Sequence, residues 1–335
     1  MARLRAALAC GALLLAAAAG AGTIEVPVVA GEWWRIAPNA PDVGKWGTGK
    51  ENACDFTIFQ SADGRWQCIA CIRGTRHHGQ RLFYRWEAGR LTDTDWAPQG
   101  ILEVPRGMRG RPPRPASVQA PHAFRHAGRY YLFYNSGPAY CLVSPDGRRW
   151  RPHRNVEGHA VFFPMGRDVC VFHDAARRRW IAYYCGTVRR DGERRAAMVA
   201  RTAPEPEGPW SEDEIAVRAE GNPESPFVLR RGEATYLWQQ MSVFRSQDPL
   251  DFPGAPVAHM TGLWYNGKFA PEVVRHEGRF YIAGYSRGIH VAEFRWEKRT
   301  PQQIARWRAT ELARIQAERR AARERRKKRE REERQ

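Results

Sequence analysis

Short apolar runs recur along this chain in pairs. A polar residue opens each pair, an apolar run follows, a short charged turn intervenes, and an aromatic run returns. Cys54-Asp55-Phe56-Thr57-Ile58-Phe59 leads to Trp66-Gln67-Cys68-Ile69-Ala70, and Pro121-His122-Ala123-Phe124 leads to Tyr130-Tyr131-Leu132-Phe133-Tyr134. Arg167-Asp168-Val169-Cys170-Val171-Phe172 leads to Trp180-Ile181-Ala182-Tyr183-Tyr184, and Glu224-Ser225-Pro226-Phe227-Val228-Leu229 leads to Tyr236-Leu237-Trp238. The last copy runs from Pro271-Glu272-Val273-Val274 to Phe280-Tyr281-Ile282-Ala283. Such content reads as strands. The phrases begin at 55, 122, 168, 224 and 272, at intervals of 67, 46, 56 and 48 residues, room for a four-stranded blade each. A fixed repeat of strand pairs predicts an all-β fold, a five-bladed β-propeller. A sandwich of unrelated hairpins is the alternative, and five copies in phase argue against it. Third strands are expected at Arg81–Trp86, Tyr140–Ser144, Ala197–Ala200 and Ser242–Phe244. Asp, Pro and Gly then mark turns, each trailed by an aromatic (Trp150, Trp210, Phe252) placed to pack between blades.

The repeat occupies residues 23–298, and both ends depart from it. Residues 1–22 combine early arginines with a small apolar stretch, as a signal peptide does, which predicts a secreted or periplasmic protein with no stable membrane insertion after cleavage. Residues 299–335 form a charged helical or disordered tail. Thr300 suits its N-cap and Pro301 its first turn, and Ile304, Trp307, Leu312 and Ile315 make one stripe able to dock. Between Arg319 and Arg334 ten basic residues meet four acidic ones, a solvated face or a contact for an acidic partner such as a sulfated glycan. Arg106–Pro115, rich in Arg, Gly and Pro, is expected to be an exposed loop.

Charge changes the picture little. The formal net charge is +18, but of 54 basic residues 48 are arginine and six are lysine. The arginines spread through turns without a nucleic-acid motif, so no nucleic-acid partner is predicted. Past the leader stand six cysteines with no zinc-type spacing. A turn at Ala62-Asp63-Gly64 would set Cys54 opposite Cys71, leaving a disulfide or buried thiols open. A monomer without metal or organic cofactor is expected.

Asp55, Asp168 and Glu224 each begin an inner strand, where a side chain can point into the axial funnel. Cleaving a glycosidic bond commonly takes two carboxyl groups, one ionised and one kept protonated. A third nearby raises the acid's pKa by repulsion. At these residues the chain resembles the five-bladed propeller glycoside hydrolases of the clan that holds families 43 and 32. Asp55 and Asp168 are 113 residues apart, and Asp168 and Glu224 are 56 apart. Gly166-Arg167-Asp168-Val169 resembles that clan's Arg-Asp-Pro phrase, Glu224-Ser225-Pro226 its Glu-(Ala/Ser/Gly)-Pro segment, and Ala120-Pro121-His122 its Ala-Pro-Asp phrase. The chain departs from the pattern at Phe56, Val169 and His122. The resemblance implies a hydrolase of polysaccharides or oligosaccharides, furanosides or xylosides foremost, with Asp55 as base or nucleophile, Asp168 as orienting residue and Glu224 as acid. A non-catalytic carbohydrate-binding propeller is the second reading.

Around these stand candidate substrate-binding residues: His122, Arg167, Glu272 and Trp264. His122 can bind sugar hydroxyls, hold an ion or water, act as acid, or satisfy backbone groups. Glu272 can line the axis or pair with an arginine such as Arg167. His77-His78 is expected in a loop over a propeller face, solvated or in contact with substrate. Trp33, Trp34, Trp46, Trp238, Trp264 and Tyr265 are candidates for sugar stacking, with packing between blades the alternative.

Overall fold

The computed structural model describes residues 22–77, 80–105, 117–219, 223–260 and 269–332. All but the last residue of the expected leader, the Arg106–Pro115 loop, His78, Trp264 and Tyr265 lie outside the described residues. The described residues form two compact units, one from Val29 to Arg295 and one from 22–28 with 296–332.

Strands β1 (Ile24–Val29) and β2 (Trp34–Ala37) come first. Four antiparallel sheets of four strands follow. They are β3 (Asn52–Gln60), β4 (Trp66–Arg73), β5 (Arg81–Ala88) and β6 (Ala97–Leu102); β7 (Gln119–His126), β8 (Arg129–Asn135), β9 (Ala139–Ser144) and β10 (Arg151–Pro152); β11 (Arg167–Asp174), β12 (Arg179–Arg190), β13 (Glu193–Ala203) and β14 (Ile215–Arg218); and β15 (Pro226–Arg231), β16 (Ala234–Gln239), β17 (Ser242–Ser246) and β18 (Ala258–His259). The fifth sheet is β19 (Phe269–His276), β20 (Arg279–Tyr285) and β21 (Ile289–Arg299), completed by β2 along β21. The first strand of each sheet touches the first strand of the next, and β19 touches β3, so five inner strands close a ring. A segment preceding the first blade thus pairs inside the last, which removes the free edge a linear array would leave. The expected propeller, its five hairpins and its third strands are all present.

The hairpins follow from local chemistry. Ala127-Gly128 and Glu277-Gly278 both take positive φ, the turn geometry whose twist matches that of flanking strands. Aromatic and aliphatic side chains then fill the gaps between blades. Phe56, Trp86 and Val291 share one cluster, Phe83, Leu132 and Tyr134 a second, Phe133, Tyr184 and Val199 a third, and Ile181, Met198 and Leu237 a fourth. The trailing aromatics behave as expected: Trp150 packs on Phe59 in the second cluster, Trp210 on the third, and Phe252 is buried in the fourth. Trp34 and Trp46 pack partly buried on the first cluster, and Trp238 is fully buried, which closes it to sugar stacking. His77 is likewise buried, edge-on to Trp46 with 4.8 Å between ring centroids, and not in a solvated loop.

In the terminal unit, α1 (Pro301–Trp307) opens with a full capping box between Thr300 and Gln303, passes through a wider turn at Arg308–Leu312, and continues as α2 (Ala313–Glu332). Ile304 and Ile315 are buried, as the apolar stripe predicts. No described helix is long and apolar enough to cross a membrane.

Candidate active site

One backbone device places the site. Asp55, Ala120, Asp168, Ser225 and Ala270 all carry positive φ, one per blade, at the start of the inner strand. The pairing register slips across four of them, between Cys54 and Phe56, Gln119 and His122, Arg167 and Cys170, and Phe269 and Glu272. A bulge re-aims the side chains beside it. These five positive-φ residues, four of them at bulges, surround a small funnel lined by Asp55, Asp168, Ser225 and Glu272 among others.

These bulges also correct the phase of the repeat. In register with Asp55 and Asp168 stand Ala120, Ser225 and Ala270, so Glu224 precedes its blade's positive-φ residue by one and His122 and Glu272 follow theirs by two. The polar residues that appear to share one position in the sequence therefore occupy three levels.

The upper levels hold the carboxylates. Arg167 Nη1 donates to Glu224 Oε2 at 2.9 Å and lies 3.8 Å from Asp168 Oδ2, and its Nη2 donates to the Pro223 carbonyl at 3.0 Å. Asp168 is buried and accepts from the Ser225 N–H at 3.3 Å and the Cys185 thiol at 3.4 Å, while its own N–H donates to Asn135 Oδ1 at 3.4 Å. All three carboxyl groups sit above the ordinary carboxylate range. Burial raises Asp55, opposed by Arg73 and reinforced by Glu224. Burial and Asp55 raise Asp168 against Arg167. Burial and Asp168 raise Glu224 against the same arginine. Because Glu224 acts electrostatically on Asp55, and Asp55 on Asp168, the three behave as one cluster on three blades.

Five residues about the site escaped the sequence reading: Arg73, Arg81, Asn135, Cys185 and Tyr285. The charges of Arg73 and Arg81 favour ionised Asp55, and Asp55 in turn raises the Tyr285 phenol beyond the effect of burial. Asn135, Cys185 and Tyr285 share a signal, since each pairs with the residue just before a bulge: Gln119, Arg167 and Phe269.

The lower level is a closed ring. Thr57 donates to Glu272 Oε2 at 3.3 Å and accepts from the Ala123 N–H at 3.0 Å. His122 Nδ1 lies 3.6 Å from Glu272 Oε1, and its Nε2 is 3.1 Å from the Val171 carbonyl and 4.0 Å from Cys170 Sγ. Burial opposes the imidazolium, yet Cys170 and Glu272 outweigh it and hold the His122 pKa well above its usual value. Glu272 thus pairs with His122 and not with Arg167, which is engaged by Glu224. Cys54 and Cys71 are cross-strand partners, as the expected turn requires, but both are free thiols that donate to carbonyls, of Cys71 and Val118 respectively. Of the seven predicted site residues, Asp55, Asp168, Glu224 and Arg167 converge, His122 and Glu272 lie beneath them, and Trp264 is outside the described residues. Among the described residues no group of three or more His, Cys, Asp and Glu is arranged to hold a metal ion.

No family model and no curated protein matches this chain. Solved structures do. A thermostable family-43 glycoside hydrolase superposes with a TM-score of 0.55 at 14% identity, over 78% of this chain and 92% of that one. A family 117 glycoside hydrolase from the marine bacterium Zobellia galactanivorans gives 0.53 at 14%, over 82% and 90%. An α-L-arabinofuranosidase from Podospora anserina, in complex with cellotriose, gives 0.53 at 12%, over 82% and 98%. At these identities the likeness establishes a shared propeller fold.

Proposed function

We propose that this chain is an exported glycoside hydrolase acting on a polysaccharide or a derived oligosaccharide, furanosides and xylosides foremost. One observation carries the proposal: Asp55 and Asp168 line one funnel from separate blades, Arg167 joins Glu224 of a third blade to Asp168, and burial and mutual repulsion raise all three carboxyl groups. Fold-level likeness to glycoside hydrolases supports it.

The chemistry divides among the three. Glu224, partly exposed and raised by burial and Asp168, is the group placed to give a proton to the glycosidic oxygen as the bond to the anomeric carbon breaks. Asp55 has Arg73 and Arg81 to favour its ionised form, so it attacks the anomeric carbon or takes a proton from the attacking water. The leaving sugar departs as an alcohol, and water supplies the hydroxyl of the other product. Asp168 is held by a backbone N–H and a thiol, which suits an orienting charge that keeps Glu224 protonated.

The test is reducing-sugar release from arabinans, xylans, fructans and algal galactans by the wild type and Glu224→Gln. Release by the wild type alone identifies the substrate and the acid. Release undiminished in the variant removes Glu224 from the chemistry. Binding of the panel with no release by the wild type replaces hydrolysis with carbohydrate recognition.

A further inference from the structure

The second strand stops level with the bulge in the second and fifth blades, and in the third blade it does not. In the second and fifth blades the second strand ends at Asn135 and Tyr285, the positions paired with the residue before the bulge. The equivalent residue in the third blade is Cys185, yet β12 runs on to Arg190 and β13 returns from Glu193. Five further residues make an arm about 17 Å long at strand rise. The arm carries Arg189, Arg190, Arg194 and Arg195 against Asp191 and Glu193.

Register fixes what one face of the arm presents. Cross-strand partners share a face, and alternate residues return to it. Cys185 with Met198, Thr187 with Ala196, and Arg189 with Arg194 therefore lie on one face, and Cys185 on that face touches Asp168. Arg194 Nη2 donates to Thr187 Oγ1 at 3.1 Å, which draws its guanidinium back along the arm toward the funnel. Arg189 and Arg194 are exposed, and neither forms an ion pair with a described carboxylate; the acid at the tip, Glu193, is taken by Arg195 at 3.3 Å. Like charges placed directly opposite each other destabilise a hairpin. An anion that bridges this exposed, like-charged arginine pair would relieve the repulsion.

We infer that the Arg189–Arg194 pair is a subsite for an anionic group, carboxylate or sulfate ester, on the polysaccharide. Resting on the hydrolase reading, this makes the substrate an acidic glycan. The arginines stand about 13 Å along the strand from Cys185, so they hold a neighbouring unit and not the unit being cleaved. Guanidinium forks recognise both anions in bidentate fashion.

Binding is measured on the full chain carrying Glu224→Gln, so that no polymer is consumed, against polygalacturonate, ι-carrageenan, neutral arabinan and neutral xylan. Preferential binding to one acidic polymer, weakened by salt, is expected, and which polymer it is separates carboxylate from sulfate. Adding Arg189→Gln and Arg194→Gln weakens that binding about tenfold, while the double lysine variant loses less. Deleting residues 317–335 leaves the preference in place. The thermal midpoint of the double glutamine variant is not lowered, because repulsion is relieved. Equal binding of acidic and neutral polymers, undiminished binding by the glutamine variant, or loss on deleting the tail each overturns the inference. Sugar release by the wild type is scored separately: release without acidic preference ends this inference alone, and acidic preference without release ends the hydrolase reading alone.

Discussion

Replacing Glu272 by glutamine tests whether the ring under the funnel is scaffold or machinery. His122 Nδ1 and Glu272 Oε1 are 3.6 Å apart, and their side chains are only 8% and 10% exposed, so solvent screens them little. At an effective dielectric constant of about 20, Coulomb's law puts the gross attraction near 4–5 kcal/mol. Glutamine forfeits this but spares the cost of burying a carboxylate, and an unpartnered His122 can shed its proton. The net loss is about 1–3 kcal/mol near neutrality, below the full penalty of stranding a buried charge. Both groups are raised on folding, Glu272 by burial and His122, against burial, by Cys170 and Glu272. A raised group adds stability that is complete below its unfolded pKa and is lost as pH rises through its folded value. The variant's deficit is therefore widest at acid pH and shrinks as pH rises through the raised values of the two groups. Urea unfolding followed by tryptophan fluorescence at several pH values measures it. An unchanged urea midpoint at pH 5, with sugar release nonetheless abolished, would refute the reasoning and move Glu272 into the chemistry.

The pH dependence of hydrolysis separates the carboxylates by sign. Asp168→Asn removes the charge that helps keep Glu224 protonated, so the basic limb of the pH–rate profile moves to lower pH; a basic limb that stays put while kcat falls denies Asp168 that role. Arg167→Met removes the cation that opposes protonation of Glu224, so the same limb moves to higher pH, and a downward move contradicts the assignment. The bulges predict a conformational effect without chemistry. Ala270→Val places a β-branched residue at φ +50° and costs about 1–3 kcal/mol, whereas Ala270→Gly is neutral or stabilising, and equal denaturation midpoints for both would deny the strain.

What the sequence discloses and what it hides divide along the physics of strands. Five hairpins, their third strands and the aromatics between blades follow from residue type and turn chemistry, which act over a few residues. Three of the four converging carboxylate-site residues, Asp55, Asp168 and Glu224, were legible because their spacing together with their flanking phrases marks inner strands, and Arg167 because it adjoins one of them. The level at which each polar residue sits was not. That is set by a positive φ, and the residues that adopt it include Ala120 and Ala270, whose side chains announce nothing. Matching polar to polar across the repeat therefore slid two blades by two residues, enough to set His122 and Glu272 beside the carboxylates when they lie beneath them. The partners of Asp55 were hidden for another reason. Tyr285 is distant in sequence and reaches the first blade only because β19 meets β3 in the closed ring. Closure of that ring thus does two things at once: it removes the free edge of the array, and it completes the electrostatic surroundings of the first carboxylate.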